Sequence, residues 1–180
     1  MTDKTKKRPA VFIDRDGTLV EEVNFLSKVE DLQLFPFTVE AIQLLKERGF
    51  RIVVVTNQSG IGRNIFSEMD MRSIHEELQI RLEGAIDAFY FCPHLPNEGC
   101  RCRKPALGMI EDAVSELNIE MTGSWMIGDK KIDVETGRNA GISSALVLTG
   151  YGTNHLASLD WQPDVVASDL LDAVKSIIQN

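Results

Sequence analysis

Short apolar runs closed by polar or small residues alternate along this chain with stretches whose apolar residues recur at helical spacing. Ala10-Val11-Phe12-Ile13 and Phe50-Arg51-Ile52-Val53-Val54-Val55 are continuous and β-rich. They are too short for helices and predict strands buried on both faces. Ile86 to Phe91, Trp125 to Ile127, Ser144 to Leu148 and Asp164 to Ala167 predict four more strands. Helices are predicted between them: one opened by Thr38 as N-cap, carrying Ile42, Leu44 and Leu45, and stopped by Gly49. A second is capped by Ser67 with Asp70 three residues on, and carries Met71, Ile74, Leu78 and Leu82. Met109 to Leu117, Asp133 to Asn139 and Asp169 to Ile178 complete the set. Glu21 to Pro36 and Gly150 to Gln162 have no clear period and read as irregular.

Strands alternating with helices mean βαβ units: an α/β fold with a Rossmann-like, mainly parallel sheet covered by helices on both faces. The 180 residues are expected to form a single domain, 1–180. No repeat, low-complexity tract or linker interrupts them. In such folds ligands bind beyond the carboxyl ends of the strands. The unusual polar loops fall there: Asp14 to Thr18, Thr56 to Gly60, and Gly128 to Lys130, with Arg103-Lys104 following the third strand.

Composition narrows the function. With 43% hydrophobic and 26% charged residues the chain is of ordinary globular type, and its net charge of -8 disfavours nucleic acid as a partner. No apolar run reaches the roughly 18 residues of a membrane span. Met1 to Arg8 lacks the apolar core of a secretory signal and reads as a loose leader, so a cytoplasmic protein is expected. Cys92, Cys100 and Cys102 lie within eleven residues, an odd number whose clustering suggests a metal rather than disulfides. His75 and His155 read as ordinary surface or helix residues, and Trp125 as core.

The chemistry begins at Asp14-Arg15-Asp16-Gly17-Thr18. Two carboxylates two residues apart at the end of a buried strand raise one another's pKa unless a cation separates them. A carboxylate can attack phosphorus, a second can protonate a leaving oxygen and later deprotonate water, and a hard cation can bridge carboxylates to phosphate. A hydroxyl, an amide and a lysine can hold the phosphoryl oxygens. The polar loops offer a candidate for each part.

Those loops resemble the four motifs of the haloacid dehalogenase-like (HAD) phosphohydrolases, over about Pro9 to Gly152. The resemblance implies that Asp14 is the nucleophile and Asp16 the general acid/base. It also implies that Thr56 and Lys104 bind the phosphoryl group, and that Mg2+ is held by Asp14, Asp129 and the backbone carbonyl of Asp16. Asp133 is the fourth motif's other acidic position, with no settled role. Thr56-Asn57-Gln58-Ser59-Gly60-Ile61-Gly62-Arg63 and Cys92-Pro93-His94 through Cys102-Arg103-Lys104-Pro105 narrow the likeness. They resemble the branch that contains the heptose bisphosphate and histidinol-phosphate phosphatases, and Gly128-Asp129-Lys130 favours the former.

By that likeness the substrate contacts are Asp14-Arg15-Asp16, Glu22-Val23-Asn24-Phe25, Thr56-Asn57-Gln58-Ser59, Arg103-Lys104 and Lys130. Arg63 is a candidate for a second phosphate. Strand alternation would nevertheless turn the Arg15 side chain away from the site. Cys92-x-His94-x5-Cys100-x-Cys102 offers three thiolates and an imidazole, which suit a closed, structural Zn2+ site. The resulting expectation is a Mg2+-dependent, monomeric phosphatase acting on the C7 phosphate of a heptose 1,7-bisphosphate, a small-molecule sugar bisphosphate, for lipopolysaccharide or a related glycan. With no separate cap domain, loops would enclose the substrate. Histidinol-phosphate phosphatase and a catalytically idle phosphate-ligand or protein-binding domain are the alternatives.

Overall fold

A computed structural model describes residues 7–179. The predicted leader lies mostly outside them, and Arg8, its last residue, already belongs to the first strand. The strands are β1 (Arg8–Ile13), β2 (Arg51–Asn57), β3 (Ala88–Cys92), β4 (Ile119–Gly128), β5 (Ser143–Val147) and β6 (Val165–Ala167). They form one sheet in the order β3-β2-β1-β4-β5-β6, with every pairing parallel. The helices are α1 (Thr38–Glu47), α2 (Ser59–Gly62), α3 (Glu68–Arg81), α4 (Gly108–Leu117), α5 (Lys131–Asn139), α6 (Gly152–Leu156) and α7 (Leu170–Gln179).

Alternation along the strands divides the core into two layers. Val11 and Ile13 of β1, Ile52 and Val54 of β2 and Ile127 of β4 face apolar residues of α1, α3 and α7. Ala10, Phe12, Val53, Val55 and Met126 face Met109, Ile110 and Ala113 of α4. β1 is therefore sealed on both sides, and the chain leaves it first toward β2 and β3, later toward β4, β5 and β6. The carboxyl ends of β1 and β4 flank the point where the strand order reverses, the crevice that such folds use for ligands.

Several local expectations are corrected. Thr38 is not an N-cap; it is the first residue of α1, and its hydroxyl donates to the Leu19 carbonyl at 2.7 Å, tying the helix to the loop after β1. β4 runs for 10 residues, well beyond Trp125 to Ile127. Its first half, Ile119 to Ser124, is mostly polar, which hides the strand. There the register against β1 shifts, and Ala10 N donates to the Ser124 hydroxyl at 2.8 Å. β2 continues through Thr56 and Asn57, so the second polar loop starts at Gln58. Part of the segment 150–162 forms α6. His75 is buried and stacks on Phe89 with ring centroids 4.6 Å apart. Trp125 is only partly buried, at the edge of the larger core layer. Ser67 and Asp70 do form the expected reciprocal cap on α3.

Candidate active site

Asp14 is the first residue beyond β1, and Asp129 the first beyond β4; both are buried. Lys104 is brought between these strands by the loop that follows β3. Its ammonium is buried and fully committed: it donates to Asp14 Oδ1 at 2.8 Å, to Asp133 Oδ1 at 2.6 Å and to the Val55 carbonyl at 2.8 Å. Asn57 fixes the backbone of Lys104 from both sides, its Oδ1 accepting from Lys104 N at 3.0 Å and its Nδ2 donating to Lys104 O at 3.2 Å. Asp133 has both oxygens engaged, since Oδ2 accepts from Lys130 N at 3.0 Å. Its place is now clear: it orients Lys104 and caps α5.

Asp129 is held differently. Its Oδ2 accepts from Tyr151 N at 2.8 Å, whereas its buried Oδ1 has no hydrogen-bond partner among the described residues. Gly17 and Gly150, both at positive φ (83° and 53°), pack so closely that a Cβ on either would collide with the Asp129 carboxylate. These glycines are thus required both by backbone conformation and by close approach.

Asp16 has a firm grip of its own. Arg15 turns away from the crevice, as strand alternation anticipates, and its side chain is wholly buried, which leaves only its backbone for the contact expected of it. It curls back instead, with Nη2 3.0 Å from Asp16 Oδ1. Gln58 Nε2 donates to Asp16 Oδ2 at 2.9 Å and to the Thr56 hydroxyl at 2.8 Å, joining the expected acid/base to the expected phosphoryl contact.

The electrostatics follow from this packing. Burial would raise the Asp14 carboxyl, but Lys104 and Lys130 outweigh it and hold the group below its usual range. Burial and the Asp14 charge push Asp129 up to about 8, against the pull of Lys130. Lys104 is raised despite its burial, by Asp133 and Asp14. Lys130 approaches Glu22 at 3.2 Å, Asp129 at 3.6 Å and Asp14 at 3.9 Å. Four carboxylates (Asp14, Glu22, Asp129, Asp133) thus meet two cations (Lys104, Lys130) in one network, beside the separate Arg15–Asp16 pair.

Acidic oxygens of Asp14, Asp129 and Asp133 lie within 4.8 Å of one another. The excess of negative charge, an Asp129 Oδ1 that has no hydrogen bond and an all-oxygen donor set fit a hard divalent cation beside Asp14 and Asp129. Asp133, already spoken for by Lys104 and Lys130, is not needed as a ligand.

A cavity of about 230 Å³ opens beside this centre, lined among others by Asp16, Glu22, Asn57, Ser59, Lys130 and Tyr151, with Asp14, Thr56, Lys104 and Asp129 outside its lining. Val23, Asn24, Phe25 and Gln58 of the expected contacts also border it. Arg63 is exposed and lies outside it, as does Arg103, whose guanidinium donates to the His94 carbonyl at 3.1 Å and borders a separate cavity with Lys104. Tyr151, with its backbone on Asp129, was missed by the sequence reading, although Gly150 before it was a signal. A larger groove, about 650 Å³ beside α3 and β3, contains none of this chemistry.

The cysteine loop forms the second cluster. Cys92 Sγ lies 3.5 Å from Cys100 Sγ and from His94 Nδ1, and His94 Nδ1 lies 3.2 Å from Cys102 Sγ. Donor atoms of all four residues fall within 4.8 Å of one another. Burial opposes ionisation of Cys100, but the Arg103 backbone N–H and its neighbouring thiols bring it down to about 7. Four converging soft donors fit Zn2+ and leave no position for substrate.

Comparison with known proteins bears on this geometry. The HAD-hydrolase-like family model matches residues 101–173. The chain is 38% identical to the D-glycero-beta-D-manno-heptose-1,7-bisphosphate 7-phosphatase of Yersinia pestis, over 96% of this chain and 98% of that protein. The chain belongs to the heptose bisphosphate phosphatase branch of the HAD-like hydrolases. A second relative in this branch, from Thermosynechococcus vestitus, is also 38% identical, over 94% of this chain and 95% of its own length. Among solved structures of the branch, the D,D-heptose 1,7-bisphosphate phosphatase from B. bronchiseptica, complexed with magnesium and phosphate, superposes with a TM-score of 0.88. It is 30% identical and covers 95% of this chain and 98% of its own. The histidinol-phosphate and idle-domain alternatives are thereby set behind the heptose reading. Among the described residues no helix is long and apolar enough to cross a membrane.

Proposed function

We propose that this chain is a magnesium-dependent phosphatase that removes the C7 phosphate from D-glycero-D-manno-heptose 1,7-bisphosphate. The observation that carries the chemistry is the buried Lys104, which holds Asp14 by one oxygen and takes Asp133 on its other side. That contact leaves the second Asp14 oxygen on the side of Lys130, 3.9 Å away. The reading names Asp14 as nucleophile: it attacks the C7 phosphorus in line as the ester P–O bond breaks, and Asp16 gives its proton to the departing sugar oxygen. Asp16 then takes a proton from water, whose oxygen attacks the phosphoaspartate and frees Asp14. Thr56, Asn57 and Ser59 are the candidates for holding phosphoryl oxygens, Lys104 balances their charge from behind Asp14, and Gln58 keeps Asp16 and Thr56 in register.

Mg2+, held by Asp14, Asp129 and the Asp16 carbonyl, would neutralise phosphate charge when bound. Zn2+ on Cys92, His94, Cys100 and Cys102 would be structural, pinning the loop that delivers Lys104. The chain acts in this reading as a cytoplasmic monomer of one domain, making a heptose monophosphate for lipopolysaccharide core or a related surface glycan. Arg63 and Arg103, both outside the main cavity, are assigned no contact to the reacting phosphate. The test is a side-by-side measurement of kcat/KM for both anomers of heptose 1,7-bisphosphate, histidinol phosphate and simple sugar phosphates. An advantage of at least about tenfold, or 1.4 kcal/mol in the barrier, is expected for one heptose anomer. Faster turnover of histidinol phosphate would overturn the reading.

A further inference from the structure

The cavity beside the carboxylates has a charged floor and an aromatic lip. Of the seven large apolar side chains left substantially exposed among the described residues, two border this one cavity: Phe25, 37% exposed, and Tyr151, 41% exposed. They come from loops far apart in sequence, one after β1 and the other after β5.

The backbone of each is fixed, and the Tyr151 ring is held as well. Phe25 sits at φ 59°, a left-handed conformation that a bulky residue adopts only where its surroundings impose it. Tyr151 is tied through its backbone N–H to Asp129 Oδ2 at 2.8 Å. Its ring centroid lies 5.3 Å from the Lys130 ammonium and 6.5 Å from the His155 ring, which meets it edge-on. An aromatic side chain left open to water yet fixed in this way presents apolar surface at almost no ordering cost on binding. A sugar bisphosphate has the matching division: anionic ends, and a ring whose axial C–H bonds make an apolar face.

We propose that Tyr151 is a specificity-determining residue whose ring takes the C–H face of the sugar, opposite Phe25, while the reacting phosphate sits on the charged floor. The proposal rests on the sugar bisphosphate reading above. It gives a domain of this size a means of selecting the sugar, since Asp14, Lys104 and Asp129 address only the phosphoryl group.

The test compares kcat/KM for heptose 1,7-bisphosphate and for acetyl phosphate, which has no sugar, in the full chain and in Tyr151→Phe and Tyr151→Ala. The ratio of the two is expected to fall about tenfold in Tyr151→Ala, mainly through KM for the sugar substrate, and to stay within about twofold in Tyr151→Phe. An unchanged ratio in Tyr151→Ala overturns the proposal. So does a proportional loss with both substrates, which would mean that the ring only props Lys130 and Asp129. An equal fall in Tyr151→Phe would assign the effect to the hydroxyl and also overturn it. Wild-type protein that turns over acetyl phosphate but not the heptose would instead fail the underlying reading, and the proposal with it.

Discussion

The carboxylate centre and the cysteine loop are both candidate metal sites, yet the protein supports them in opposite ways. At the carboxylates the chain supplies much of the countercharge itself. Lys104 is sealed between Asp14 and Asp133, and Arg15 and Gln58 fix Asp16. That geometry hangs on the ends of three central strands, whose apolar residues are almost wholly buried. At the cysteine loop four soft donors converge with no charged side chain among them, Cys92 seated in the core layer under α4 and Cys100 and Cys102 packed against its edge. Where the protein provides the compensating charge, the fold positions the reactive groups before any metal arrives. Where it provides only soft donors, the metal has to complete the local structure. The two are joined at Lys104, two residues beyond Cys102, so the loop's order bears on the charge centre's.

This contrast can be broken at its strongest point first. Asp14→Asn should lower kcat by several orders of magnitude while the thermal unfolding profile stays cooperative, because the amide keeps the shape but not the nucleophile. Survival of turnover would show that the nucleophile lies elsewhere. Lys104→Met should also abolish turnover, and in addition destabilise the fold by about 3–5 kcal/mol in denaturant unfolding, since it strands two buried carboxylates. Loss of activity with unchanged stability would mean that the ion pairs are not part of the fold's support.

Zinc removal should act more locally. A zinc-selective chelator, with Mg2+ kept in excess, is expected to speed amide exchange over residues 93–103 and to lower kcat about tenfold or more as the loop leading into Lys104 loses its order. Exchange in β1 and β2 should stay slow. Full activity with the loop melted would sever the proposed link between the two clusters.

The smallest effect concerns a buried group given no countercharge. Burial, with Arg15 and Arg72 nearby, lowers the His75 pKa to about 3 from an ordinary 6.5. The folded state therefore stays unprotonated while the unfolded state binds a proton below pH 6.5. Stability should be unaffected above that pH and should fall as pH drops from 6.5 toward 3, by about 2 kcal/mol at pH 5. Urea unfolding of the wild type and of His75→Leu at pH 7 and pH 5 measures this, and the variant should lose less stability over that interval. An equal loss in both proteins would remove His75 as the cause.

The buried strands were legible because their apolar runs are continuous, and the reactive residues because each follows such a run: Asp14 after Ile13, Thr56 after Val55, Asp129 after Ile127 and Gly128. Side-chain direction was less legible. Arg15 was grouped with the substrate contacts, although the alternation that turns it inward is visible in the same stretch. The first half of β4 escaped notice because Glu120, Thr122, Gly123 and Ser124 spoil the apolar pattern, and its pairing depends on a register shift that only the folded sheet reveals. Asp133 and Tyr151 acquired their places through long-range contacts, to Lys104 and to Asp129, that no local spacing encodes. His75 was placed in a helix but not in its interior, because one buried imidazole carries no periodic signal.

The most direct test of the proposed activity follows heptose 1,7-bisphosphate by phosphorus NMR during turnover with Mg2+. The C7 ester resonance should disappear as inorganic phosphate grows, while the anomeric phosphate resonance remains. Loss of the anomeric phosphate first, or no phosphate release under conditions in which acetyl phosphate is hydrolysed, would contradict the account.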